Sequence, residues 1–174
     1  VHALKSNCRT LGFTDMGEMF YQHELASKQN NSTWVNENYN TLVNEMNRTL
    51  AMGCRYLVLH PGASMDYDRV ESMNQIASYL NKAISVVPCV MILIETMAGK
   101  GSEVGKTFDE VAYLISKIEN KDRIGVCLDT CHINDGGYDL GNVDALLKEF
   151  NDIIGLNYLK VCHINDSKNE RGAH

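Results

Sequence analysis

From about Ser32 onward the apolar positions fall into two alternating rhythms. Leu42, Val43, Met46 and Leu50 recur three or four residues apart, as do Val111, Ala112, Leu114, Ile115 and Ile118, which is the spacing of one helix face. Between such stretches lie unbroken apolar runs, Tyr56-Leu57-Val58-Leu59 and Val90-Met91-Ile92-Leu93-Ile94, of the kind that parallel strands covered on both faces require. The pattern predicts helices near 36–52, 67–85, 106–118 and 142–154, and strands near 55–60, 90–95, 123–129 and 158–164. No low-complexity stretch or linker interrupts it, so a chain of βα units in one parallel sheet is the consistent α/β solution. Residues 1–31 do not follow the rhythm. Met16, Met19, Phe20 and Tyr21 cluster, and Ser27-Lys28-Gln29-Asn30-Asn31 is polar and turn-prone, so this segment is set apart as divergent and 32–174 is taken as one βα domain.

Each predicted strand ends on a residue able to hold a metal ion: His60, Glu95, Asp129 and His163, separated by 35, 34 and 34 residues. That period is close to the roughly 31 residues per unit of an eightfold βα barrel. Loops at the carboxyl ends of parallel strands build the active site, so these four side chains converge on one pocket. Taken singly, each has a plainer reading: a hydrogen-bonded structural histidine, or an aspartate capping the next turn. A buried carboxylate such as Glu95 still needs a base, donors or a metal, because leaving it unpaired costs several kcal/mol. The shared spacing favours the metal, and His132, three residues past Asp129, adds an imidazole at the same corner. Mixed imidazole and carboxylate donors suit zinc or manganese, and a set that leaves positions open suits metal-assisted hydrolysis. Asn165 and Asp166 stand beside His163 and are expected to orient its ring. Gly99-Lys100-Gly101-Ser102 lacks the spacing of a phosphate loop.

Composition narrows the partners. At 174 residues and 44% apolar content, the chain can bury one real core. A net charge of −6 argues against a broad basic face for nucleic acid, but not against carboxylates that hold cations which then meet phosphates. No apolar run approaches the ~20 residues that span a bilayer, and Val1-His2-Ala3-Leu4-Lys5 lacks signal-peptide order, so a cytoplasmic location is expected, or a nuclear one in a eukaryote. The six cysteines lie mostly within or beside predicted buried strands and are expected as free thiols. Cys127 and Cys131 have no second pair at zinc-ribbon spacing, and the sequons at Asn31 and Asn47 matter only in a secreted chain.

Four motifs carry a resemblance. Leu57-Val58-Leu59-His60-Pro61-Gly62-Ala63, Ile94-Glu95-Thr96-Met97-Ala98-Gly99-Lys100-Gly101-Ser102, Gly125-Val126-Cys127-Leu128-Asp129-Thr130-Cys131-His132 with Gly137-Tyr138-Asp139, and His163-Ile164-Asn165-Asp166-Ser167-Lys168 resemble the successive motifs of the endonuclease IV family, in its order, over about 36–174. That resemblance implies a TIM (β/α)8-barrel fold, of which this chain covers about four βα units. It also implies a zinc-dependent apurinic/apyrimidinic endonuclease that cuts double-stranded DNA on the 5′ side of abasic sites with three clustered zinc ions. On it, His60 binds the first zinc, and Glu95 bridges the first and second as the catalytic carboxylate that positions the activated water. Asp129 and His163 bind the second zinc and His132 the third. DNA would be recognised through a kinked backbone and an extruded abasic sugar, by a monomeric enzyme when full-length.

The sequence departs from the family at both ends. The family's earlier histidine is matched by neither His2 nor His23 at the right spacing, and its DRH segment and late strand-end glutamate are not seen before Gly172-Ala173-His174. A piece of a longer enzyme is therefore expected, holding fewer zinc ions and inactive alone. Two rivals are a divalent-metal sugar isomerase of a related barrel family and a degenerate, non-catalytic metal-binding or interaction module.

Overall fold

The structure, a computed structural model, describes Val43, Asn47, Leu50 and residues 51–173. His2, His23, Cys8, the cluster around Phe20 and the boundary expected at residue 32 lie outside the described residues. Val43, Asn47, Leu50 and Ala51 are helical, within the stretch expected over 36–52. The chain divides into two compact units, residues 1–55 with 86–90 and residues 56–85 with 91–174. In the first, Val43, Val87 and Val90 are buried. The second carries the sheet.

Four parallel strands, β1 (Tyr56–Leu59), β2 (Met91–Glu95), β3 (Ile124–Asp129) and β4 (Leu159–His163), lie side by side in sequence order. Helices α1 (Arg69–Val86) and α2 (Phe108–Ser116) make the first two crossovers. The third holds two helices, α3 (Thr130–Gly136) and α4 (Val143–Ile153). This is the βα order expected from the apolar rhythm, with strand and helix ends within two residues of those expected.

The helices form where the sequence supplies both a cap and a stripe. Thr107 caps α2 by accepting the Glu110 N–H at 3.2 Å, and Phe108, Val111, Leu114 and Ile115 then line its buried face. Asn142 caps α4 in the same way, and that helix buries Leu146 and Phe150. Against these stripes pack Ile92, Ile94, Ile124, Val126 and Leu128, one face of β2 and β3. Phe108 sits at the centre, stacked on Tyr138 at 4.2 Å and edge-on to Phe150 at 5.2 Å. Each side chain of this size contributes about 1.5–3 kcal/mol when fully buried, which commits that face of the sheet to packing. Alternation along a strand then sends Leu93, Glu95, Cys127 and Asp129 to the opposite face.

On β4 this alternation is broken, and the break decides where His163 points. Val126 pairs with Leu159 but Cys127 pairs with Val161, so Lys160 is an extra residue, a β-bulge. Leu159 packs against the helical core, and His163 lies four residues on, which in a regular strand would put both on the same face. The bulge reverses the phase and turns His163 to the face of Asp129, its register partner. Gly125 makes room for it. A Cβ there would lie 2.8 Å from both Leu93 Cδ2 and Lys160 Cγ, and 3.1 Å from the Tyr158 carbonyl.

Three expectations need correction. Coverage on both faces holds for β3, which is buried throughout, but not for β4, where Lys160 and Cys162 are exposed, nor for Tyr56 on β1. Among the described residues these are the outer strands of the sheet. Among the described residues, burial of the cysteines is likewise confined to Cys127; Cys131 is half-buried, Cys54, Cys89 and Cys162 are exposed, and Cys89, Cys127, Cys131 and Cys162 are free thiols. Finally, residues after Asp129 form a helix rather than a turn. Asp129 caps it, and Gly137 ends it at φ 107°, a left-handed conformation that glycine adopts without cost.

Candidate metal centre

Register brings the strand ends together unevenly. Glu95 pairs with Cys127, whereas Asp129 pairs with His163 one pleat repeat further along. The even spacing in sequence is thus not an even height in the sheet: Asp129 and His163 stand about 6.6 Å beyond Glu95 at ~3.3 Å per residue. The loops after β1 and β2 are laced by Ser64 N–H to Ser102 O and Val104 N–H to Gly62 O, both at 2.9 Å. Below them, the Glu110 carboxylate takes the Arg69 guanidinium and the Gly105 and Lys106 N–H groups, while Arg69 also donates to Glu103 O at 2.7 Å.

Glu95 is the hub. Its Oε2 lies 2.7 Å from His60 Nε2, its Oε1 lies 2.8 Å from His163 Nδ1, and His132 Nδ1 stands 3.8 Å from Oε1. Its side chain is only 5% exposed. Burial works against the carboxylate's charge, but the imidazoles of His60, His163 and His132 outweigh it and hold the carboxyl below its ordinary range.

The hydrogen bonds assign the ring nitrogens. His132 Nδ1 faces the Thr96 carbonyl at 2.9 Å, and a carbonyl only accepts, so that nitrogen carries the proton and Nε2 keeps its lone pair. His163 Nδ1 faces the Glu95 carboxylate with the same consequence. His60 Nε2 is buried and, despite its nearness to Glu95, is not aligned for a hydrogen bond with any group. A poorly aligned imidazole nitrogen 2.7 Å from a buried carboxylate oxygen leaves a place that a cation would complete, and O and N donors of this kind fit zinc. Ligand atoms of His60, Glu95 and His132 lie within 4.8 Å of one another, as do those of Glu95, Cys127 and His163. Burial and the nearby Glu95 carboxylate push the Cys127 thiol up to about 12, so in the metal-free chain it is a protonated thiol at the floor of the site.

Asp129 stands slightly apart. Its Oδ1 accepts the His132 N–H and so caps α3, while its Oδ2 accepts from Asn165 and lies 3.7 Å from His163 Nδ1. The capping role and the convergence on the site are thus both real. Asn165 orients Asp129 rather than His163, contrary to expectation, because its own backbone is pinned to the Thr130 hydroxyl. Thr96, Thr130 and Asp135 were not singled out from sequence. The first two carry a weak signal, each immediately following a strand-end carboxylate; Asp135 carries none at any ligand spacing.

Comparison with known proteins bears on the family and the fold. The family model for xylose isomerase-like TIM barrels matches residues 1–174. The probable endonuclease 4 of Malacoplasma penetrans is 52% identical over 135 residues, covering 77% of this chain and 47% of the relative. That of Oceanobacillus iheyensis is 48% identical over 136 residues, covering 78% and 46%. Among solved structures, endonuclease IV from Thermus thermophilus superposes with a TM-score of 0.66 at 29% identity, over 80% of this chain and 49% of that one. A D-tagatose 3-epimerase-like protein gives 0.63 at 15% identity, over 85% of this chain and 61% of that one, a likeness of fold alone. The chain spans about half the length of the curated relatives it matches. No helix among the described residues is long and apolar enough to cross a membrane. With the βα order, the convergent strand ends and these relatives together, the chain belongs to the xylose isomerase-like TIM barrel family as a partial barrel, and the resemblance to endonuclease IV read from its four motifs holds.

Proposed function

We propose that this chain supplies the metal-binding half of an endonuclease that hydrolyses the phosphodiester on the 5′ side of abasic sites in double-stranded DNA. The observation that carries the reading is the buried Glu95 carboxylate surrounded by His60, His132 and His163, with His60 Nε2 lacking any hydrogen bond. His60, Glu95 and His132 would hold one zinc, and Glu95, His163 and Asp129 another. When bound, zinc supplies a Lewis acid that activates water and offsets charge on phosphoryl oxygens.

The chain's own residues do the positioning. Thr96 fixes the His132 ring by accepting its Nδ1–H, so the ring presents Nε2 as a donor in one orientation. Asn165 holds Asp129 Oδ2, and the cap to His132 N–H holds Oδ1, so this carboxylate cannot rotate freely. Cys127 keeps the floor apolar and dry beneath Glu95, which strengthens every electrostatic contact above it. An anionic backbone approaching a chain of net charge −6 needs cations to meet it, and this cluster is where they would sit. An abasic site offers no base to read, so backbone shape and the extruded sugar remain as the features to recognise.

A chimera tests this. Residues 36–174 would replace the matching stretch of the Thermus thermophilus endonuclease IV and be given duplex DNA with one synthetic abasic site. Zinc-dependent incision on the 5′ side, lost on His60→Ala or Asp129→Ala, is expected. A folded, zinc-loaded chimera that leaves abasic DNA intact contradicts the proposal.

A further inference from the structure

Beyond the ligand set, one carboxylate has no part in the packing core or in the metal cluster, yet it is wholly buried. Asp135 on α3 has 0% exposure. Ser167 Oγ donates to its Oδ1 at 2.7 Å, and Asn169 Nδ2 donates to its Oδ2 at 2.7 Å. Lys100 Nζ, from the loop after β2, stands 3.7 Å from Oδ2. The same segment after β4 is tied to α3 and the turn that follows it at neighbouring points: Gly172 N–H to Asn134 O at 2.9 Å, Asn134 Nδ2 to Asn169 O at 3.3 Å, and Arg171 to Asp139 at 3.1 Å. At the near end, Thr130 Oγ1 accepts the Asn165 N–H at 2.9 Å and donates to its carbonyl at 2.6 Å.

Three loops therefore meet at one buried charge, and they are the loops that follow Glu95, Asp129 and His163. α3 carries His132 one turn before Asp135, and the segment after β4 begins at His163 and Asn165. Burying a carboxylate is expensive unless donors surround it. Here two of the donors, Ser167 and Asn169, come from the segment being held, beside Lys100 and Asn134 from elsewhere, so the segment can leave only by breaking two hydrogen bonds to that charge. We propose that Asp135 is a positioning residue of the candidate centre, clamping residues 165–172 to α3 so that His163 meets Glu95 and Asn165 meets Asp129. This rests on the metal-centre reading for its functional meaning, but the clamp itself can be measured without metal.

The test compares Asp135→Asn with the exchanged pair Asp135→Asn/Asn169→Asp in the full chain. In the single variant one of the two accepting oxygens becomes an NH2 that must face either Ser167 Oγ or the Asn169 NH2, so one of the two donations to residue 135 is lost; in the pair, donor and acceptor are swapped and the bond between 135 and 169 can re-form. Exchange of the Asn165, Asn169 and Gly172 amides should quicken by roughly tenfold or more in the single variant, with the β2 and β3 amides unchanged, and recover in the pair. Zinc affinity, read by competition with a chromophoric chelator, should fall about 10–100-fold, and the visible spectrum of bound cobalt(II) should change, both recovering in the pair. Should Asp135→Asn fail to fold, Asn169→Ala removes the same bond from an exposed residue. Unaltered exchange, affinity and spectrum in a folded variant, or no recovery in the pair, overturns the proposal. A wild-type chain that takes up no metal contradicts the proposed function instead, and amide exchange then decides the clamp alone.

Discussion

Two carboxylates fifteen residues apart, the buried Glu95 at the end of β2 and the half-buried Glu110 in the first turn of α2, have opposite surroundings. Glu110 takes the Arg69 guanidinium on both oxygens, at 2.5 and 3.0 Å, and adds the N–H groups of Gly105 at 2.9 Å and Lys106 at 3.2 Å. Every one of those partners is a fixed donor that needs no further ligand. Glu95 has instead three imidazoles, whose charge is conditional, and one of them presents a buried nitrogen with no hydrogen bond. Burial raises the cost of charge in both, and in both the partners more than offset it, so both carboxyls sit below their ordinary range. The partners, not the burial, therefore tell the two acids apart. Permanent donors arranged to completion mark a bolt in the fold, whereas imidazoles left incomplete mark a place for a cation.

Substitutions that probe this contrast differ in the size of their effect. The largest expected stability loss comes from Gly125→Ala, about 2–3 kcal/mol, near the top of the usual overpacking range because the new Cβ meets the Tyr158 carbonyl as well as two side chains. By displacing the bulge it should also separate His163 from Glu95 while leaving the Arg69–Glu110 pair in place, which histidine NMR shifts and thermal unfolding would report. Next, Glu110→Gln should cost the metal-free chain about 1–3 kcal/mol by stranding part of its donor set, or several degrees in Tm at roughly 2–4 °C per kcal/mol. Glu95→Gln should cost the metal-free chain less than Glu110→Gln, because the partners of Glu95 are imidazoles rather than a permanently charged guanidinium. Equal losses in the two variants would erase the distinction.

A smaller effect separates them by pH. The folded pKa of Glu110 lies below its unfolded value of ~4.3, so its contribution is fully present above that value and disappears as the pH falls through the lower folded one. The Tm difference between the wild-type chain and Glu110→Gln should therefore stay constant from about pH 7 to 5 and shrink below about pH 4. A difference that persists in acid would mean that shape, not charge, holds the loop.

Much of the fold was legible because long apolar runs bounded by capping residues leave few alternatives. The runs ending at His60, Glu95, Asp129 and His163 became parallel strands, and Thr107 and Asn142 cap the helices that follow. What sequence alone did not reveal was register. Equal intervals of 34 or 35 residues say nothing of the pleat-length offset between Glu95 and Asp129, nor of the extra residue at Lys160. A plain count from Leu159 would have turned His163 toward the helices. α3 was hidden because Asn134-Asp135-Gly136-Gly137 has the composition of a turn, and tertiary contacts override weak propensity. Arg69–Glu110 and Asp135–Ser167 escaped for another reason: their partners lie 41 and 32 residues apart, and no local pattern marks such pairs.

Equilibrium zinc binding to the purified chain and its two glutamate variants decides whether Glu95 and Glu110 differ in kind. The wild-type chain should bind zinc, Glu110→Gln should bind it with unchanged affinity, and Glu95→Ala should lose more than the roughly 10–100-fold typical of a merely supporting residue. Zinc bound equally by the wild type and Glu95→Ala, or by neither, would contradict the reading of these strand ends as a metal centre.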